Sequence, residues 1–92
     1  MNCIEQILND IERGVKFDSH FVIERMRKDY SDEYINFVSQ SAGTGEPTLN
    51  AHQRIGQTIK RFDNLVQKQD IPSLSFNIHG NISKCALWLK IA

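Results

Sequence analysis

Residues 48–68, TLNAHQRIGQTIKRFDNLVQK, decide the fold together with the two alternating runs that follow them. Apolar residues recur in this stretch at helical spacing, which predicts one amphipathic helix over all of it. The inward stripe of this helix consists of Ala51, Ile55, Ile59, Phe62 and Val66. The outward face contains no acid and consists of Gln53, Gln57, Lys60, Asn64 and Lys68. Amide and ammonium groups bond purine edges and neutralise phosphates, so this face is a candidate nucleic-acid surface.

The C-terminal region predicts a β-hairpin. Two runs that alternate apolar and polar residues flank Gly80-Asn81, which suits a two-residue turn. That turn would pair Phe76 with Cys85 and Leu74 with Leu87, which puts the apolar side chains of both strands on one face. The opposite face would consist of Asn77, Lys84, Trp88 and Lys90. An aromatic among lysines can contact nucleic acid, but packing against a helix or a second subunit is its more common role.

The first half of the chain predicts three shorter helices and one strand. We expect a helix at about residues 3–13, an extended segment at 15–17, a second helix capped by Asp18 or Ser19, and a third helix at 31–40 capped by Ser31. The inward side chains of the third helix would be Tyr34, Ile35, Phe37 and Val38. Residues 39–47 contain two glycines and a proline, and therefore predict a loop before the long helix.

Length and composition bound the class of protein. The 92 residues predict a single domain, residues 1–92, with little core to support a deep active-site cleft. No apolar run approaches the roughly 20 residues that a membrane span needs. Acids at positions 5, 10 and 12 interrupt the apolar positions of the N-terminus, so we expect no signal peptide and a cytoplasmic location.

Charge is distributed unevenly along the chain, although the formal net charge is zero. Residues 1–46 contain nine acids and five bases, a balance of −4. Residues 47–92 contain two acids and six bases, a balance of +4. The positive half includes the long helix and the hairpin, which favours an anionic partner on that side.

No residue pattern in the sequence indicates catalysis, a cofactor or a metal site. Cys3 and Cys85 form no CxxC pair and are expected to be reduced thiols. The histidines, His20, His52 and His79, lie in three separate elements without the spacing of metal ligands. No catalytic signature is present either, so we expect neither an enzyme nor a metalloprotein.

The order of helix, short strand, helix, helix and hairpin resembles the winged helix-turn-helix superfamily of DNA-binding domains. Residues 52–62, HQRIGQTIKRF, are similar to the recognition helix of many such domains, in which an Ile-Gly pair helps to dock the helix. The resemblance implies an α+β fold of three to four helices followed by a C-terminal β-hairpin wing. It implies DNA contacts from Gln53, Arg54, Gln57, Lys60, Arg61 and Asn64, and a wing tip formed by Asn81, Ser83 and Lys84.

The resemblance further implies a small transcriptional regulator, of bacterial or mobile-element type, that binds double-stranded DNA. A homodimer is expected, because the last strand could pair edge to edge with a second copy and such proteins often read two half-sites. Arg54 and Arg61 would hold phosphates, or could instead pair with acids of residues 1–46. The alternative function is a protein-binding adaptor or inhibitor with the same fold, which the zero net charge and the single wing cation favour.

Overall fold

The computed structural model describes residues 3–43 and 45–92, which form an α+β structure, so the predicted class is confirmed. Its elements, in chain order, are α1 (Cys3–Asp10), β1 (Lys16–Asp18), α2 (Ser19–Asp29), α3 (Ser31–Gln40), α4 (Pro47–Arg61), β2 (Val66–Lys68), β3 (Ser73–Phe76), β4 (Ile82–Cys85) and β5 (Leu87–Lys90). Within the described ranges, no helix is both long and apolar enough to cross a membrane.

The last strand, β5, is the centre of a three-stranded antiparallel sheet of order β1-β5-β2. Trp88 lies opposite Phe17 of β1 and opposite Lys68 of β2. Strands β3 and β4 form a separate two-stranded hairpin, inserted between β2 and β5. Because β5 has a partner on each edge, the predicted edge-to-edge pairing of the last strand with a second copy is wrong.

The core lies where α1, α2 and α4 pack against the sheet. The fully buried side chains of these helices include Ile4, Ile7, Leu8, Val22, Met26, Ala51, Ile55 and Ile59, of which the last three are predicted inward positions of α4. Trp88 joins this core with only 3% of its surface exposed, and its indole Nε1 donates a hydrogen bond to Ser19 Oγ over 3.0 Å. Packing, rather than nucleic-acid contact, is therefore the role of Trp88.

The long helix ends earlier than the sequence pattern predicts. Its last residue is Arg61, Phe62 caps it, and residues 63–65 form a turn. Asp63 and Asn64 favour turns because their side chains compete for backbone hydrogen bonds. Val66 is buried as expected, but it reaches the core from strand β2 rather than from the helix.

The hairpin has a different register from the predicted one. Phe76 lies opposite Ile82 and Leu74 opposite Lys84, and residues 77–81 form the turn. Asn77, predicted as a strand residue, organises that turn. Its Oδ1 accepts hydrogen bonds from the backbone amides of His79 at 2.9 Å and Asn81 at 3.1 Å. Gly80 adopts a φ of 79°, which a residue without a Cβ tolerates.

This register leaves the apolar side chains of the hairpin in solvent. Leu74, Phe76 and Ile82 are 66%, 68% and 64% exposed. Because Cys85 lies opposite Ser73, the prediction that it shares one face with Leu74 and Phe76 is wrong. The hairpin ends at Cys85, and the chain then crosses into the three-stranded sheet. Trp88 and Lys90 are consequently buried, although the predicted hairpin would have placed them on its open face.

Three smaller predictions about the helices also need correction. Helix α1 ends at Asp10 rather than near residue 13, and no side chain caps α3, whose N-cap position is Tyr30 rather than Ser31. Ile35, predicted to face inward, is 57% exposed. The predicted cap at Asp18 is confirmed, since its Oδ1 accepts the Phe21 amide at 2.8 Å.

Lys90 is a buried cation that closes the end of the first helix. It is 3% exposed, and its Nζ donates to the carbonyl oxygens of Leu8 at 2.7 Å and Ile11 at 2.6 Å. The last carbonyls of a helix have no partner within it and carry partial negative charge. The ammonium group satisfies two carbonyls and stabilises the helix end from the central strand.

We predict that Lys90→Met lowers the free energy of unfolding by about 2–3 kcal/mol, because it keeps the volume but leaves two buried carbonyls without their charged donor. Urea unfolding followed by circular dichroism measures this change. Lys16→Met, at an exposed position of β1, is the matched control and should change stability by less than about 0.5 kcal/mol. Equal effects of the two substitutions would contradict a stabilising role for the Lys90 hydrogen bonds.

Candidate functional site

Helix α4 and the β3–β4 hairpin form the two walls of a groove of about 470 Å³, which we call the α4–hairpin groove. Gln53 lies on the helix wall and Lys84 on the hairpin wall. Ser19 and His20, at the start of α2, also line it. The groove thus joins two of the predicted DNA contacts, and it also borders a set of polar residues that the sequence did not indicate.

The outward face of α4 is open to solvent. Gln53, Gln57, Lys60 and Arg61 are all exposed. Among residues 3–43 and 45–92, the ion pairs involve only the α2 cations Arg25, Arg27 and Lys28. The cations of α4 and the hairpin are therefore not neutralised by acids of the described chain.

Arg54 differs from its neighbours because it is bound to helix α3. Its guanidinium donates to Phe37 O at 3.3 Å and to Gln40 Oε1, and lies 5.1 Å from the centre of the Phe37 ring. A cation at the C-terminal end of a helix is favourable for the helix dipole. Its partners are a carbonyl, an amide, the Ser41 hydroxyl and a ring rather than the acids that the sequence allowed. A phosphate contact by Arg54 would require these interactions to break.

Asn64 lies outside the helical face on which it was predicted. It is exposed in the turn after α4 rather than one helical turn beyond Lys60. The predicted site residues that share the outward face of α4 are therefore Gln53, Gln57, Lys60 and Arg61.

Helix α3 packs on α4 without covering this face. Tyr34 Oη lies 2.8 Å from His52 Nε2, while Arg54 reaches the C-terminal end of α3. Burial, with the charges of His79 and His20, lowers the pKa of His52 and favours the neutral imidazole beside the tyrosine hydroxyl. These contacts hold α3 against α4, while Gln53 remains exposed.

A polar cluster holds the hairpin against the start of α2. His20 Nδ1 lies 2.7 Å from Ser75 Oγ, and its Nε2 lies 3.3 Å from Ser83 Oγ. Ser73 Oγ donates to Asp18 Oδ2 at 2.8 Å. Since side chains alternate along a strand, the serines face α2 while the apolar residues of the hairpin face solvent. The partly buried Cys85 belongs to the same inward face.

The environment of the cluster shifts two of its pKa values in opposite directions. Burial by itself raises the pKa of Asp18, but hydrogen bonds from Ser75, the Phe21 amide and Ser73 together hold it below its ordinary value. Burial raises the pKa of the Cys85 thiol. Asp18 is therefore a carboxylate that hydrogen-bond donors stabilise. Cys85 is a protonated thiol as long as no cation is bound to it.

Asp18, His20 and Cys85 bring their donor atoms within 4.8 Å of one another. Sequence reasoning missed this group because it looked for pairs of histidines or cysteines at ligand spacing. The only local signal is Asp18 and His20 two positions apart, at a strand-to-helix junction. Cys85 joins them through the register of the hairpin, which the sequence did not predict.

Neither a protein-family model, nor a curated protein, nor a solved structure matches this chain. The geometry and chemistry of the α4–hairpin groove are therefore the basis for assigning a function to this chain.

The hydrogen bonds to Asp18 predict a pH effect. A carboxylate with a lowered pKa stabilises the fold above its unfolded pKa of about 3.9, and this stabilisation is lost as the pH falls through the folded pKa. We expect Ser73→Ala to raise the pKa of Asp18 and to move acid unfolding to higher pH. Carboxyl-carbon NMR titration measures the pKa, and the exposed Ser39→Ala is the control. An unchanged Asp18 titration in Ser73→Ala would contradict this role of the hydrogen bond.

Proposed function

We propose that this protein binds double-stranded DNA, with the outward face of α4 in the major groove and the β3–β4 hairpin as a wing. One observation carries the proposal: the acid-free face of α4 is exposed beside the hairpin, and Gln53 and Lys84 line the same groove. A small transcriptional regulator that acts by occupying its DNA site is the corresponding role.

The strand order supports a winged helix-turn-helix arrangement. The strand that follows the first helix pairs with the C-terminal strand, and β2 pairs with the other edge of the same strand. The β3–β4 hairpin lies in the connection from β2 to β5, where it can project from the sheet next to α4. Helix α3, which precedes α4 and packs on it, fits a supporting helix.

The side chains of α4 match the chemistry of the DNA major groove. That groove is about 12 Å wide and accepts an α-helix. Gln53 and Gln57 can bond adenine through two atoms, and Lys60 can reach guanine. Arg61 and Lys84 carry exposed cations for phosphates, which position a protein on DNA without reading its sequence. Arg54 is not needed for this surface, since it secures α3.

Charge reversal tests the surface directly. We expect Lys60→Glu with Arg61→Glu to abolish retardation of a duplex in a gel shift at low salt, because four units of charge change at the DNA face. Both residues are exposed, so the melting temperature should stay within about 2 °C of the wild type.

The matched control is Arg13→Glu with Lys16→Glu, which changes the net charge equally near β1, the sheet edge opposite β2. This variant should retain DNA binding with only a modest loss of affinity. If the α4 variant binds DNA as well as this control, the assignment of α4 as the DNA-contacting helix is wrong.

Salt dependence tests the phosphate contact of Arg61. We predict that the slope of log K against log salt becomes less negative by about 0.9 in Arg61→Gln, the value for one phosphate contact on duplex DNA. Fluorescence anisotropy with a labelled duplex at several salt concentrations measures the slope. Arg13→Gln provides the control, and equal slopes in wild type and Arg61→Gln would place Arg61 away from the phosphates.

One observation favours the alternative, a protein-binding adaptor or inhibitor. Leu74, Phe76 and Ile82 form an exposed apolar face on the outer side of the hairpin, and such faces commonly mark protein contacts. Absence of any gel shift by the wild-type protein with random duplex at low salt would favour this alternative over DNA binding.

A further inference from the structure

Three donor atoms of different chemistry meet at the edge of the α4–hairpin groove. Asp18 ends β1, His20 lies in the first turn of α2, and Cys85 ends β4. Their carboxylate oxygen, imidazole nitrogen and thiol sulfur lie within 4.8 Å of one another. We propose that Asp18, His20 and Cys85 bind a divalent metal ion, with zinc as the natural occupant. This proposal does not depend on the DNA-binding function.

The donor set selects the metal. Thiolate and imidazole ligands favour zinc and similar transition metals, whereas magnesium and calcium prefer sites built from oxygen alone. Tetrahedral zinc holds its ligands at about 2.0–2.3 Å, which places the ligand atoms roughly 3.3–3.8 Å apart. The three donors, which lie within 4.8 Å of one another, therefore need to close by no more than about 1.5 Å. Three protein ligands leave a fourth position for water or an exchangeable group.

Hydrogen bonds already orient the donor atoms. Ser83 Oγ holds His20 Nε2 at 3.3 Å, which leaves Nδ1 as the ligand nitrogen. The Phe21 amide and Ser73 Oγ hold the two oxygens of Asp18. Metal-bound histidines and carboxylates typically have such outer partners, which fix the ring and the carboxylate in place.

The Ser75 hydroxyl occupies the position in which we expect the ion to bind. It lies 2.7 Å from His20 Nδ1 and 3.9 Å from Cys85 Sγ. The Ser75 hydroxyl thus lies between two of the proposed ligands, His20 and Cys85. A metal ion would take this place, and the hydroxyl would turn away by rotation about χ1. Binding also requires loss of the Cys85 thiol proton to solvent, because the thiolate is the ligand.

The site would link separate parts of the chain. Asp18 and His20 belong to the junction of β1 and α2, while Cys85 belongs to the hairpin wall that carries Lys84. A bound ion would therefore fasten the hairpin to α2 and set the position of that groove wall. This is a structural role, and the open fourth position would face the groove.

Cobalt(II) titration tests the site in tag-free protein that has been treated with a chelator. We expect one equivalent of Co²⁺ to produce a thiolate-to-cobalt charge-transfer band and the intense visible bands of tetrahedral coordination, and Zn²⁺ to remove them. Cys85→Ala should lose the charge-transfer band, and Asp18→Asn should bind Co²⁺ at least about tenfold more weakly. Asparagine retains the ability to cap α2, so Asp18→Asn removes the ligand charge without removing the cap.

Matched controls use the other cysteine and an exposed histidine. Cys3→Ala and His79→Gln should retain the bands of the wild type. Absence of the bands in the wild type, or their persistence in Cys85→Ala, would overturn the proposal.

Separate substitutions of two serines test whether Nδ1 of His20 is the ligand nitrogen. Ser83→Ala should weaken Co²⁺ binding by about tenfold, because it frees the His20 ring. Ser75→Ala should bind at least as tightly as the wild type, because the ion no longer has to displace a hydroxyl. The opposite order would overturn the assignment of Nδ1 as ligand and of Ser75 as the displaced group.

Alkylation of the wild-type protein provides a test without any substitution, which decides the matter if Cys85→Ala does not fold. Zn²⁺ should slow the reaction of Cys85 with iodoacetamide by at least about tenfold, since a metal-bound thiolate is shielded. Mass spectrometry of the peptides reports both cysteines, and the buried Cys3 should stay unmodified with and without Zn²⁺, which shows that the protein remains folded during the reaction. Equal rates with and without Zn²⁺ would overturn the site.

Discussion

The pairing of β5 on both of its edges determines how the rest of the molecule is arranged. Strands β1 and β2 come from distant parts of the chain, and β5 holds both. Its side chains also connect the sheet to two helices. Trp88 donates a hydrogen bond to Ser19 of α2, and Lys90 donates hydrogen bonds to the carbonyls at the end of α1. Because both edges of β5 are already paired, β5 cannot also pair with β4. Strands β3 and β4 therefore pair only with each other and form a separate two-stranded unit.

The separate hairpin has two chemically different faces, and both matter for function. Serines and Cys85 face α2 and form the polar cluster with Asp18 and His20. Leu74 and Phe76 face solvent on the other side. In most small domains the apolar face of a hairpin would be buried. Here the polar face is turned inward, because hydrogen bonds to Asp18 and His20 satisfy it, and this arrangement brings three ligand-type side chains together.

The proposed DNA surface and the proposed metal site both lie at the junction between α4, the hairpin and α2. Gln53 and Lys84 line the groove whose edge includes His20 and Cys85. The exposure of Lys60 and Arg61 without ion pairs in the described chain keeps their charge available to an anion. By contrast, Arg54 shows that a cation on an amphipathic helix can serve the fold, since it binds the end of α3.

The sequence by itself determined the helices, the outward face of α4 and the cap at Asp18, because periodicity and capping are local properties. Only the tertiary structure decided that the hairpin turns on Asn77 and that β5 joins β1 and β2. Strand register depends on partners distant in sequence, and alternation alone is compatible with several registers. The grouping of Asp18, His20 and Cys85 follows from that register, so no local pattern could have revealed it.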